Sequence, residues 1–296
     1  VSGKYKKILV WADNDLDGAA CSLLLKWIYS EADITYDEIF EGAFSEKIKQ
    51  KANSLNDYDL VFIVDLYVPD SEFELIDKLN VTIIDHHKTH ESVMQRYKKA
   101  KTLIKEYPSA CKLIYDTYLK NNDLTNEQKV IVVFADDYDS YNLKYKESLM
   151  YHAIVRTYNA PKIKKFIDAF QNGHRKFNLQ EQNSIALYIK KIKEQIKTSE
   201  VFIGKLNNYK VVACYINHAP NEVLHYMINK YNADVGIGIN LQYKFVSFRK
   251  HKNCKIKLNL LAEKLCEGGG HECSAGGKLT DKFIELTKIF HPINES

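Results

Sequence analysis

Long apolar runs are missing from this chain of 296 residues. No stretch approaches the ~18 consecutive apolar residues that a membrane-spanning helix needs. The opening VSGKYKKILVWA also lacks the extended apolar core of a secretory leader, so a cytoplasmic protein that does not enter membranes is expected. Glycine (12) and proline (5) are too sparse for extended disorder. The cysteines, Cys21, Cys111, Cys214, Cys254, Cys266 and Cys273, include no C-x-x-C pair, which removes a zinc ribbon and a disulfide framework. Cys266, His271 and Cys273 stand close together, but no fourth ligand of obvious spacing joins them. An excess of one charge is absent too: 42 basic residues against 38 acidic ones are too balanced to mark a nucleic-acid binder.

What is present is a folding chain of two parts. Its length exceeds the roughly 250 residues at which single cores stop growing, so two domains are expected. The first 90 residues alternate short apolar runs with helix-like stretches: KKILVWA, GAACSLLLKWIY, ITYDEIF, FSEKIKQKANSL, YDLVFIVDL, PDSEFELIDKL, VTIIDHH. That alternation reads as an α/β fold, a mostly parallel sheet with helices on both faces. Helical patterns follow at 109–120 and 126–136, and residues 151–200 read as a Lys- and Gln-rich helical connector. From 201 to 296 strands and helices return as a smaller C-terminal α/β domain, so the expected boundaries are 1–150, 151–200 and 201–296.

Ligands of parallel α/β sheets bind beyond the carboxyl ends of the strands, and the polar clusters fall there. ADNDLDG follows residues 8–11, Asp65 closes 61–64, Asp85-His86-His87 closes 81–84, and Asp136, Asp137 and Asp139 end a helix. Carboxylates brought together repel one another unless cations neutralise them. Carboxylates with one or two imidazoles and no thiolate suit Mn²⁺ or Fe²⁺ better than Ca²⁺ or a structural zinc. If the stretch stays extended, Asp13, Asp15 and Asp17 point the same way and can hold two ions, and Gly18 lets the chain turn into a helix whose N-terminus favours phosphate. An EF-hand loop fails, because its twelfth position counted from Asp13 is Leu24 rather than Glu. With adjacent histidines after an acid, one ring can ligate metal while the other faces substrate. His90 reads as a surface residue or a donor behind the ligands.

At Asp85-His86-His87, taken with Asp13-Asn14-Asp15-Leu16-Asp17-Gly18, the chain resembles the DHH phosphoesterase superfamily, which includes RecJ exonucleases, nano-RNases and family II pyrophosphatases. Val246-Ser247-Phe248-Arg249 and Gly268-Gly269-Gly270-His271, followed by Ser274-Ala275-Gly276, resemble the associated DHHA1 substrate domain. The resemblance implies metal ligation by Asp13, Asp15, Asp17, Asp65 and His86, with a last ligand at Asp139 or Asp137 and with His87 and Asp85 catalytic. It also implies substrate binding by Arg249, Ser247, Gly269, Gly270 and His271. Asp13 departs from the several relatives that carry histidine there, as RecJ-type members also do, which leaves metal preference open.

The expected cofactor is a pair of Mn²⁺ ions, with Mg²⁺ as the alternative. The IDHHKT and SAC motifs and Tyr138-Asp139-Ser140-Tyr141 look closest to the bacterial nano-RNase B type. The chain ends soon after its glycine loop, which favours short substrates over long DNA. The expected partners are therefore short single-stranded RNA or DNA and dinucleotides, cut from the 5′ end to nucleoside 5′-monophosphates, with closure of the C-terminal domain completing the site. A homodimer is left open. The rivals are a RecJ-like single-stranded DNA exonuclease, using Lys162, Lys164, Lys165 and the lysines of 190–197, a pAp phosphatase or linear-dinucleotide phosphodiesterase, and a silent nucleotide-binding regulator.

Overall fold

The computed structural model describes residues 5–39, 44–91, 93–121 and 124–293. Residues 1–4 of the expected non-leader stretch and Phe40 at the end of ITYDEIF lie outside them. The chain forms two compact units, Val1–Ile185 and Ala186–Ser296.

In the first unit, β1 (Lys7–Asp13), β2 (Asp33–Ile39), β3 (Leu60–Val64), β4 (Val81–Asp85) and β5 (Lys101–Ile104) form a parallel sheet in the order β2-β1-β3-β4-β5. Strand direction of travel reverses at β1, so the carboxyl ends of β1 and β3 border the switch point where such sheets take ligands. Both central runs, LVFIV and VTIID, are buried along their whole length, as strands covered on both faces must be. Alternate residues divide between the faces. Leu9, Trp11, Val61, Ile63, Val81 and Ile83 pack with Phe44 and Ile48 of α2 (Phe44–Lys51) and Ile76 of α3 (Phe73–Ile76).

The central helix is α1 (Leu16–Ile28), buried from Leu16 through Leu25 because it is apolar on nearly every side. It contacts β1, α5 (Ala110–Ile114), α6 (Asn126–Asp139), α7 (Lys146–Thr157) and α8 (Lys162–Phe170). A four-residue helix, α4 (Lys88–Glu91), lies between α3 and α5 in the chain. Along α8, Ile163, Phe166, Ile167 and Phe170 form one buried stripe at helical spacing. Each such side chain contributes about 1.5–3 kcal/mol by leaving water. That burial joins α7 and α8 to the first unit, so the division falls at 185/186 rather than at the expected boundaries of 150 and 200. Residues 151–200 carry most of α7, all of α8 and then α9 (Leu179–Thr198).

The second unit is built on β6 (Val201–Leu206), β7 (Tyr209–Tyr215), β8 (Val235–Asn240), β9 (Phe245–Lys250), β10 (Gly269–Gly270), β11 (Ser274–Lys278) and β12 (His291–Pro292). Their order is β10-β11-β9-β8-β7-β6-β12, antiparallel except for the β7–β8 pair, which α10 (Pro220–Lys230) connects. Phe248, Val246 and Ile237 pack against Leu258 and Ala262 of α11 (Leu258–Cys266) and Phe283 of α12 (Asp281–Leu286). Both units are α/β, as expected. No helix among the described residues is long and apolar enough to cross a membrane.

Candidate active site

The acids of the first motif leave β1 on different elements. Asp13 is the last residue of β1, and Asp15 caps α1, its Oδ1 accepting from the Gly18 amide at 3.1 Å. Asp17 lies in the first turn of the helix. The extended arrangement expected for 13–17 therefore ends at Asp15, because a capping aspartate starts a helix. Gly18 is required here: a Cβ would stand 2.2 Å from the Asp13 carbonyl oxygen. This close approach folds the helix start back on the strand end. Asp17 is buried and grips another element, its oxygens accepting from the amides of Ala110 at 2.6 Å and Cys111 at 2.9 Å. Those are unpaired first-turn donors of α5.

Asp65 follows β3 with φ +55°, a left-handed conformation that aspartate tolerates better than most side chains. His86 follows β4. Its Nδ1 donates to the Tyr107 carbonyl at 3.1 Å, which directs Nε2 to Asp65 (3.3 Å), Asp139 (3.5 Å) and Asp17 (3.9 Å). The donor sets that form include Asp13–Asp15–Asp65 and Asp17–His86–Asp139, with Asp65–Asp85–His87 beside them, the donor atoms of each within 4.8 Å of one another.

Electrostatics separates these groups from their neighbours. Burial and the Asp17 charge push the Asp65 carboxyl well above its ordinary range and raise Asp15 as well. Burial, with Asp17 and Asp15, pushes Asp139 up to about 7 against the pull of His86. Burial opposes a charge on His86, but Asp139, Asp65 and Asp17 outweigh it and raise the imidazole to about 12. Carboxylates that raise one another's pKa in this way are ones that a cation would neutralise.

Asp85 behaves differently. It is fully buried, yet accepts from the His86 amide (2.8 Å) and pairs with Nδ1 of His87 and Nδ1 of His90, both at 2.7 Å. Burial works against its charge, but His87 and His90 hold the carboxyl well below the usual range. The same pairing raises His87 against burial. His90 is not on the surface: it is completely buried. Of its two readings, the donor behind the site is the one its hydrogen bond matches.

The three aspartates at the end of α6 go to three places. Asp139 joins His86 and Asp17. Asp136 accepts from Ser109 Oγ at 2.8 Å, and Ser109 caps α5. Asp137 is turned away from the cluster: it accepts from the amides of Lys144 (3.0 Å) and Tyr145 (3.2 Å) and from Ser148 Oγ (2.6 Å), tying α6 to α7. Neither the docking of Asp17 on α5 nor the Asp136–Ser109 bond is legible in sequence. The Ser109 cap before a helix was the available hint.

In the second unit, Ser247 of β9, Gly276 of β11 and Gly269 of β10 stand opposite one another across neighbouring strands, and Arg249 pairs with Ser274. Gly270 has φ +125°, which demands glycine, whereas nothing lies within 4 Å of where a Cβ of Gly269 would be. The His271 amide donates to the Ser274 carbonyl at 2.7 Å. The Arg249 guanidinium is held by Asn221 Oδ1 at 2.6 Å and by the Phe248 carbonyl at 2.7 Å. Four of the five expected substrate residues thus share the β9-β11-β10 region, and His271 follows directly.

Residues 7–136 match the DHH family N-terminal domain. That segment, within the first unit, is similar to a DHH domain. Among solved structures, this chain is similar to a pGpG-specific phosphodiesterase, PggH, from Vibrio cholerae, with 16% identity, TM-score 0.58, and 96% of each chain covered. An exopolyphosphatase-related protein from Bacteroides fragilis aligns at 13% identity and TM-score 0.58, covering 97% of this chain and 91% of its own. RecJ from Thermus thermophilus in complex with Mn²⁺ aligns at 13% identity and TM-score 0.55, covering 96% of this chain and 51% of RecJ. Identities this low carry the fold. No curated protein matches this chain.

Proposed function

We propose that this DHH phosphoesterase is a divalent-metal-dependent phosphodiesterase that hydrolyses short oligonucleotides from the 5′ end to nucleoside 5′-monophosphates. The observation that carries the reading is the pair of donor sets, Asp13–Asp15–Asp65 and Asp17–His86–Asp139, at one sheet edge. Carboxylates with a single imidazole and no thiolate fit Mn²⁺ or Mg²⁺, and the upward shifts of Asp15, Asp65 and Asp139 are those a cation would reverse. Bound divalent ions would supply Lewis acidity at the phosphoryl oxygens and lower the pKa of an attacking water.

This chain's residues supply the remainder. Asp85 orients His87 through Nδ1 and draws its pKa upward against burial, which favours the imidazolium form whose Nε2 can pass a proton to the leaving oxygen. Arg249, fixed by Asn221, offsets phosphate charge. The open space at Gly269 suits a backbone that a ligand approaches closely. The likeness to a pGpG-specific protein makes a linear dinucleotide the first substrate to try.

Three of the lysines that a long single strand would use have protein partners. Lys164 pairs with Asp168 and Lys190 with Glu194 on exposed helix faces, while Lys165 donates to the Asn159 carbonyl. The test is cleavage of 5′-labelled dinucleotides with Mn²⁺ by wild type, Asp85→Ala and His86→Ala. Turnover by wild type with loss in both variants is expected, and undiminished cleavage by the variants would sink the assignment of the site.

A further inference from the structure

His90 stands outside both donor sets and is nevertheless tied to the reacting end of the site. It is completely buried, its Nδ1 lies 2.7 Å from Asp85 Oδ2, and its backbone amide donates to the His87 carbonyl at 3.0 Å. Its Nε2 is buried with no hydrogen-bond partner among the described residues. The ring sits beside Tyr67 and Tyr97, with centroids 5.1 and 6.3 Å away. An imidazole in such surroundings keeps its proton on the nitrogen that has an acceptor. That nitrogen is Nδ1, so His90 donates to Asp85.

The second carboxylate oxygen of Asp85, Oδ1, faces Nδ1 of His87 at 2.7 Å. A carboxylate turns easily about its last torsion, which is broad and two-fold. Bonded to one side only, Asp85 would let the His87 ring tilt with it. With donors on both oxygens the plane is fixed, and the short segment from Asp85 to His90 closes on itself.

We propose that His90 is a positioning residue for His87, acting through Asp85. A merely packed aromatic would fill the same cavity between Tyr67 and Tyr97 but supply no donor. The inference rests on the role given above to His87, and it predicts a specific split between donor-bearing and donor-free substitutions. Partners that orient an active imidazole typically cost roughly 10- to 100-fold when lost.

The experiment compares His90→Phe, which fills the cavity without a donor, with His90→Asn, whose amide nitrogen replaces Nδ1. Should phenylalanine not be accommodated, His90→Leu removes the same donor at smaller volume. Turnover of a dinucleotide with Mn²⁺ is measured alongside the imidazole NMR resonances of His87. The donor-free variant is expected to lose kcat roughly 10- to 100-fold with KM nearly unchanged, and to lose the downfield Nδ1 proton of His87. His90→Asn should recover most of the rate and keep that proton, and Mn²⁺ affinity should be the same in all. A donor-free variant with wild-type kcat and an unshifted His87 resonance overturns the proposal, as does His90→Asn behaving like His90→Phe. If the wild type turns over no phosphodiester, the functional reading fails, and the His87 resonance alone decides whether His90 positions it.

Discussion

Asp65 and Asp85 end neighbouring strands of one sheet, both buried, and their acidities move in opposite directions. Burial and Asp17 raise Asp65, while His87 and His90 outweigh burial and lower Asp85. The difference lies in what each faces. Asp65 meets other carboxylates and one shared imidazole, whereas Asp85 already has the His86 amide and the Nδ1 atoms of His87 and His90. A carboxylate whose lone pairs are already taken by donors has little left for an ion. One set against like charges needs a cation to stay ionised. The sheet edge thus divides into an ion-seeking part and a part that holds side chains in place.

The sharpest way to break that division is to substitute one residue from each part. Asp65→Ala should abolish tight Mn²⁺ binding and reduce turnover on the order of 10³-fold, the scale on which losing preorganised electrostatic stabilisation acts. Asp85→Asn should leave Mn²⁺ binding close to wild type while slowing turnover roughly 10- to 100-fold. Calorimetric Mn²⁺ titration beside the dinucleotide assay reads both. Equal loss of Mn²⁺ affinity in the two variants would erase the distinction.

A smaller effect follows from the protons of the ion-seeking part. Without an ion, His86 holds its proton up to about 12 and Asp139 up to about 7. Ligation needs neutral imidazole and ionised carboxylate, so ion and proton compete. Mn²⁺ affinity should therefore rise with pH, most clearly between about pH 6 and 8 as Asp139 ionises. Binding should also release protons, measurable by titration in buffers of different ionisation enthalpy. His86→Ala should release fewer. Affinity that is flat across this range would mean that the cluster does not bind the ion.

How much of this was legible depends on whether a feature is local. The parallel sheet could be read because its strands are continuous apolar runs between helical patterns, and the acids at their ends follow directly from that reading. The expected common direction of Asp13, Asp15 and Asp17 did not survive, because one capping bond from Asp15 to Gly18 ends the extended segment. Asp17 binding to amides 93 and 94 residues away has no local trace. His90 could be placed near the site by spacing, but its burial depends on Tyr67 and Tyr97, which arrive from other elements.

The smallest expected effect on chemistry concerns the three aspartates closing α6, which spacing could not tell apart. Asp137 is 5% exposed and satisfies two amides and a hydroxyl between α6 and α7. Removing it strands buried donors, each at about 1–3 kcal/mol. Asp137→Ala should accordingly lower the unfolding midpoint in denaturant while leaving Mn²⁺ affinity and, in the folded fraction, turnover unchanged. Asp139→Ala should do the reverse, since its carboxylate meets Asp17 and His86 and is charged at a cost that its removal relieves. Denaturant melts and Mn²⁺ titrations of the two proteins would cross if Asp137, rather than Asp139, reached the ions.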